Sequence, residues 1–128
     1  MKVGAVTFDA KDPEELAEFY QKLLGWKKMY NNTEDGNFII VYSEDEKGPM
    51  LLFQKDPDYE PPVWPSEKGR QMTMVHIDIH VTKDEYEKTI RHAISCGAVP
   101  AETQFSDKWR VMIDPAGHPF CIEPLMKS

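Results

Sequence analysis

The chain has 128 residues, 41% of them hydrophobic, which suits one compact domain able to bury a core without disulfide or metal staples. Acidic residues (22) outnumber basic ones (15), the net charge is -7, and the basic residues are scattered, so nucleic-acid binding is not expected. No run reaches the roughly 18 apolar residues of a membrane helix, and MKVGAVTFDA lacks the layout of a signal peptide. With only Cys96 and Cys121, and no C-x-x-C pair, a cytoplasmic chain with free thiols is expected.

Residues 2–9 alternate weakly and read as a strand. The stretch DPEELAEFYQKLLG then predicts a helix, with Asp12 as N-cap, Pro13 at its first position and Glu14 and Glu15 in its first turn. Leu16, Phe19, Tyr20, Leu23 and Leu24 recur at helical spacing, and Gly25 ends it. Three strands follow at 26–31, 38–43 and 50–55, with EDG and EDEKG in the turns. A proline-rich join, DPDYEPPVWPSEKGR (56–70), is too long and too rich in proline for a strand.

The second half opens with a strand over about 74–82, containing VHIDIH (75–80). Successive side chains of a strand point to opposite faces. His76, Asp78 and His80 therefore share one face, and Val75, Ile77, Ile79 and Val81 the other. Thr82 and Glu85 are spaced as a capping box for a helix whose buried face is Tyr86, Ile90, Ala93 and Ile94, ended by Gly97. Shorter strands are predicted at 99–104, 108–113 and 119–124, the last after the turn DPAGH. Asp12 to Gly25 and Asp84 to Gly97 both span thirteen positions. The chain is thus a βαβββ unit written twice, an α+β fold of two tandem modules. Module one covers about 2–55, the linker 56–73 and module two about 74–125. Two such modules can curve their sheets around a cleft.

DPEELAEFYQKLLGW (12–26), HIDIHV (76–81) and DPAGHPFCIE (114–123) in a doubled βαβββ frame resemble the vicinal oxygen chelate superfamily. That group holds glyoxalase I, bleomycin- and fosfomycin-resistance proteins and extradiol dioxygenases. The likeness runs from residue 2 to 125 and is nearest to small bacterial glyoxalase-like domains with a Pro- and Trp-bearing linker. It implies paired curved sheets around a ligand cleft, and a homodimer. It also implies metal ligands at four corners, on the first and last strand of each module. Carried over, the second-module pair is His76 and Glu123. The first-strand corner is Ala5, which cannot coordinate, and the fourth falls at Phe53 or Gln54, of which only Gln54 offers a donor. His76 and His80 stand about 13 Å apart along a strand, too far to share one ion, whereas Asp78 is two positions away.

Each candidate carries a plainer alternative. Without metal, His76 and Glu123 would form an acid–base pair, or only a polar pair in a structural cleft. Asp78 and His80 line the cavity or face bulk water. Trp64 reads as an aromatic wall, against a stiff PPVWP connector or a peptide-recognition segment. Arg70 and Gln71 would meet a ligand's anionic or carbonyl group, or stay in a solvated loop. Trp109, Val111 and Ile113 are expected in the core, with Arg110 on the cleft face. Cys121 is expected to be a buried, inert thiol on the Glu123 face.

Two functions follow. In the first, the protein binds a small organic molecule without a complete metal site and needs no cofactor; Ala5 favours it. In the second, it is a divalent-metal lyase, isomerase or dioxygenase for a substrate with adjacent oxygens. Zn, Ni, Mn or Fe would then be held by His76 and Glu123, completed by Asp78 or Gln54 and water.

Overall fold

A computed structural model describes residues 1–127. The fold is α+β, two βαβββ modules each with a four-stranded mixed sheet and one helix. The strands of the first are β1 (Ala5–Ala10), β2 (Lys27–Thr33), β3 (Gly36–Tyr42) and β4 (Met50–Lys55), in the order β1-β4-β3-β2. The second contains β5 (Ile77–Thr82), β6 (Val99–Pro100), β7 (Arg110–Ile113) and β8 (Pro119–Met126), in the order β5-β8-β7-β6. In each sheet the first and last strands pair in parallel and the other pairings are antiparallel. The chain divides into compact units after Tyr59, so most of the proline-rich join belongs to the second unit.

Helix α1 (Pro13–Leu24) begins where Asp12 accepts the Glu15 N–H at 3.1 Å and ends at Gly25, whose φ of 69° is left-handed. It buries Leu16, Ala17, Phe19, Tyr20 and Leu23. Beneath it Phe8, Tyr20 and Phe53 stack with ring centroids 5.3–5.7 Å apart. Phe53 is fully buried, whereas Gln54 lies on the opposite face and donates to Asp9 at 2.6 Å.

Helix α2 (Tyr86–Cys96) starts later than the capping box suggests. Thr82 Oγ1 accepts the Glu85 N–H at 3.2 Å, but residues 83–85 form a turn before the helix. Ile90 and Ala93 are buried as predicted; Ile94 is not, being 45% exposed. The predicted strand at 99–104 shrinks to Val99–Pro100. One further backbone bond follows it, from the Ala101 N–H to the Val111 carbonyl at 3.0 Å, and the Gln104 side chain continues from there. Its amide donates to the Ala101 and Val111 carbonyls, both at 2.9 Å, and its oxygen accepts the Val111 N–H at 2.8 Å.

The join is tied down within its own unit. Trp64 Nε1–H donates to the Thr103 carbonyl at 3.0 Å, and Val63 N–H to the Gln71 carbonyl at 3.1 Å. Gly117, at φ 93°, sits so close to Pro61 that a Cβ there would lie 2.9 Å from the proline's Cβ.

Candidate functional site

The register of β5 against β8 decides which of the predicted side chains meet. Ile77 lies beside Phe120 and Ile79 beside Ile122, with both phenylalanine and isoleucine of β8 fully buried. Burying those apolar pairs sends the alternate residues to the other face. There Asp78 lies beside Cys121, and His80 beside Glu123. His76 stands just before the strand. Met74, with its left-handed φ of 59°, breaks the ladder ahead of it, so β5 begins at Ile77 rather than near 74.

This register corrects one expectation. Glu123 pairs with His80, and the position next to His76 falls four residues earlier on β8, about 13 Å along the strand. The expected His76–Glu123 acid–base pair is therefore not in contact. His76 Nε2 instead lies 3.2 Å from Asp78 Oδ1. Two overlapping groups of donors result, His76–Asp78–Cys121 and Asp78–His80–Glu123, each with its ligand atoms within 4.8 Å of one another. Asp78 belongs to both.

Electrostatics separates the two groups. Burial, reinforced by the charges of Asp78 and Glu123 and a hydrogen bond to Asp78, pushes the Cys121 thiol up to about 12. These effects favour the protonated thiol at neutral pH and so work against a nucleophilic role.

Beside this polar row lies an apolar border. Ala101, Val111 and Cys121 form a buried cluster with Trp64, Trp109 and Ile113 packed against it. Trp64 also meets Phe105 edge-on, with ring centroids 5.6 Å apart. Trp109, Val111 and Ile113 thus share the face of Cys121, whereas Arg110 and Met112 take the face toward α2. This reverses the expected placement of Arg110. Its guanidinium hydrogen-bonds the Tyr86 phenol of α2, which burial pushes above its usual range against the guanidinium's opposing pull. Arg70 pairs with Glu67 at 3.5 Å, and Gln71 Nε2 donates to the Met72 carbonyl at 3.2 Å.

Two placements were not legible in the sequence. Cys121 was expected on the Glu123 face, but its place beside Asp78 comes from the register, which alternation alone does not fix. Asp114, buried, accepts the N–H groups of Ala116 and His118, both at 2.9 Å, and so shapes the turn that starts β8. The Asp-Pro at the head of DPAGH was the available signal.

The four-corner metal set implied by the resemblance does not fit these residues. Ala5 offers no donor, Gln54 is engaged with Asp9, and His76 and Glu123 stand too far apart for bonds near 2 Å. The donors that converge are those around Asp78.

A doubled βαβββ frame with a His- and carboxylate-bearing strand defines the class, the vicinal oxygen chelate superfamily. Within it the chain belongs to the glyoxalase-like domain family, whose profile matches residues 5–123. No curated protein sequence matches the chain. Solved structures share the fold at low identity. One is a mutant of the fosfomycin resistance protein FosX of Listeria monocytogenes, in complex with Mn(II) and 1S,2S-dihydroxypropylphosphonic acid. It is 11% identical, with 97% of this chain and 89% of that one covered and a TM-score of 0.69. Another is TnmS3, an antibiotic binding protein of Streptomyces sp. CB03234, 11% identical over 96% of this chain and 94% of that one, TM-score 0.64. A third is the trypanothione-dependent glyoxalase I of Leishmania major, 12% identical over 96% and 86%, TM-score 0.67. Among the described residues no helix is long and apolar enough to cross a membrane.

Proposed function

We propose that the protein binds a small organic molecule on the open face of its second sheet, without the four-corner metal set. The observation that carries this reading is the adjacency of a polar row and an apolar wall. His76, Asp78, His80 and Glu123 flank Cys121, and Trp64 packs on the cluster that Cys121 shares with Val111. A few polar groups beside aromatic surface is the usual make-up of a small-molecule site: the wall supplies burial, the polar row orientation. Trp64, held by its bond to Thr103, needs little ordering to receive a ligand. The antibiotic-binding relative makes an organic ligand a natural first class to screen. Gln54, in the first sheet, and Arg110, Arg70 and Gln71 have other partners and are not assigned contacts in this reading.

A thermal-shift screen of aromatic and polar cyclic compounds tests it. A ligand at 100 times its Kd adds about 2.7 kcal/mol of stability. Trp64→Ala is expected to weaken such a ligand by about tenfold or more, as for a buried aromatic contact. Ligands whose affinity survives both Trp64→Ala and Asp78→Asn would place binding elsewhere and end this reading.

A second reading is a divalent-metal-dependent lyase, isomerase or dioxygenase acting on a vicinal-oxygen substrate. It draws on one observation, the convergence of imidazole and carboxylate donors around Asp78. Turnover of such a substrate, abolished by chelation and restored by metal, would move the assignment there. The homodimer implied by the resemblance is checked by light scattering.

A further inference from the structure

We infer that Phe105 is a wall of the ligand site and selects for a planar aromatic ring, which it holds against Trp64. The inference rests on the reading of the second sheet's open face as a small-molecule site, and it names the class of ligand that site takes.

Three observations carry it. Phe105 is a large apolar side chain left 67% exposed among polar neighbours, in the loop between β6 and β7. A ring so open to water adds little to the stability of the fold itself. Second, the loop is fastened on both sides of this ring. The Thr103 carbonyl accepts the Trp64 Nε1–H at 3.0 Å, and the Gln104 side chain bonds to Ala101 and Val111. Beyond the ring, Ser106 Oγ accepts the Lys108 N–H at 3.1 Å. An exposed ring on a fastened loop is presented rather than loose, so little ordering opposes binding to it. Third, the ring continues the apolar wall. It meets Trp64 with 5.6 Å between centroids and planes 73° apart, and Trp64 packs on the cluster of Ala101, Val111 and Cys121. Val99, itself exposed and paired with Ile113 of the same wall, extends the apolar border.

Two rings set nearly at right angles form a corner. A flat aromatic guest there can lie offset-stacked on one ring and edge-on to the other, the two arrangements that ring quadrupoles favour. A saturated ring of the same size gains burial from the corner but not that electrostatic match. Each such ring contact favours the aromatic guest by about 2–10-fold.

The test titrates the full chain calorimetrically with naphthalenemethanol and with its saturated analogue, decalinmethanol. Phe105→Ala is expected to weaken naphthalenemethanol about tenfold, and Phe105→Tyr to keep its affinity. In Phe105→Leu, which keeps apolar bulk, the ratio of aromatic to saturated affinity should fall about 2–10-fold. Urea denaturation should give all these variants the stability of the parent chain, because the ring is exposed; a loss of affinity is then not a loss of fold. The inference is overturned if neither probe binds, or if the affinity ratio is the same in Phe105→Leu. It is also overturned if Trp64→Ala weakens naphthalenemethanol and Phe105→Ala does not, an outcome that leaves the small-molecule reading standing. Affinity that survives Trp64→Ala, Asp78→Asn and Phe105→Ala ends both. Self-association of the chain that Phe105→Ala abolishes would make the ring a contact between copies and equally overturn the inference.

Discussion

Cys121 shows how one side chain's chemistry is set by its neighbours. Its folded-state value of about 12 lies above the ordinary 9.0, so the fold favours the protonated thiol. Stability from this group is fully present below pH 9 and is lost as pH rises toward 12, because the unfolded chain ionises first. Alkylation of the native protein at pH 8 should therefore modify Cys96, which is only partly buried, and spare Cys121. Asp78→Asn removes one negative neighbour while keeping an amide oxygen as acceptor, and should lower the thiol's value and speed its alkylation. Mass spectrometry of the two cysteine peptides over time checks both. The candidate site was half legible in the sequence. Alternation in VHIDIH puts His76, Asp78 and His80 on one face without any knowledge of the sheet. Which residue of β8 stands opposite each is a different matter, because a shift of two positions keeps every side chain on its face. That is why Glu123 was set beside His76 when its partner is His80.

At the scale of elements, the strongest predictions concern side chains that do the work of backbone. Gln104→Ala removes the acceptor of the Val111 N–H and a donor to the Ala101 and Val111 carbonyls, the latter keeping the Ala101 N–H, and should cost about 1–3 kcal/mol in urea denaturation. Phe53→Ala, in the stack of Phe8 and Tyr20, should cost about 3–5 kcal/mol. Ile94→Ala should stay within about 0.5 kcal/mol, since this residue projects from α2 into solvent. The contrast with Phe53 marks where periodicity informs and where it misleads. The stripe on α1 was read correctly because its cap, its apolar spacing and Gly25 agree. Ile94 is also at helical spacing from Ile90, but the later start of α2 and its shorter packed face leave only Ile90 and Ala93 fully covered. Strand β6 was overlong because the substitution of a side-chain amide for a ladder residue has no sequence signature.

For the molecule as a whole, the repeat was the most legible feature. Strand, helix and three strands recur with thirteen positions between the cap and the stop of each helix, and both sheets have the same strand order. The proline-rich join was less so: its composition suggested a connector, but nothing in it announces the bond from Trp64 to Thr103 or the fit of Pro61 against Gly117. In each half, moreover, the strand made first lies beside the strand made last. During synthesis β5 leaves the ribosome some forty residues ahead of β8, its partner in the sheet. Until then the edge of β5 stays open, with its exposed neighbours Met72, Met74 and Val75 close by. A transcript cut before Pro119 would yield a product unable to close its second sheet. In a cell such a product is expected to go to aggregation or to proteases rather than to persist as a shortened binder.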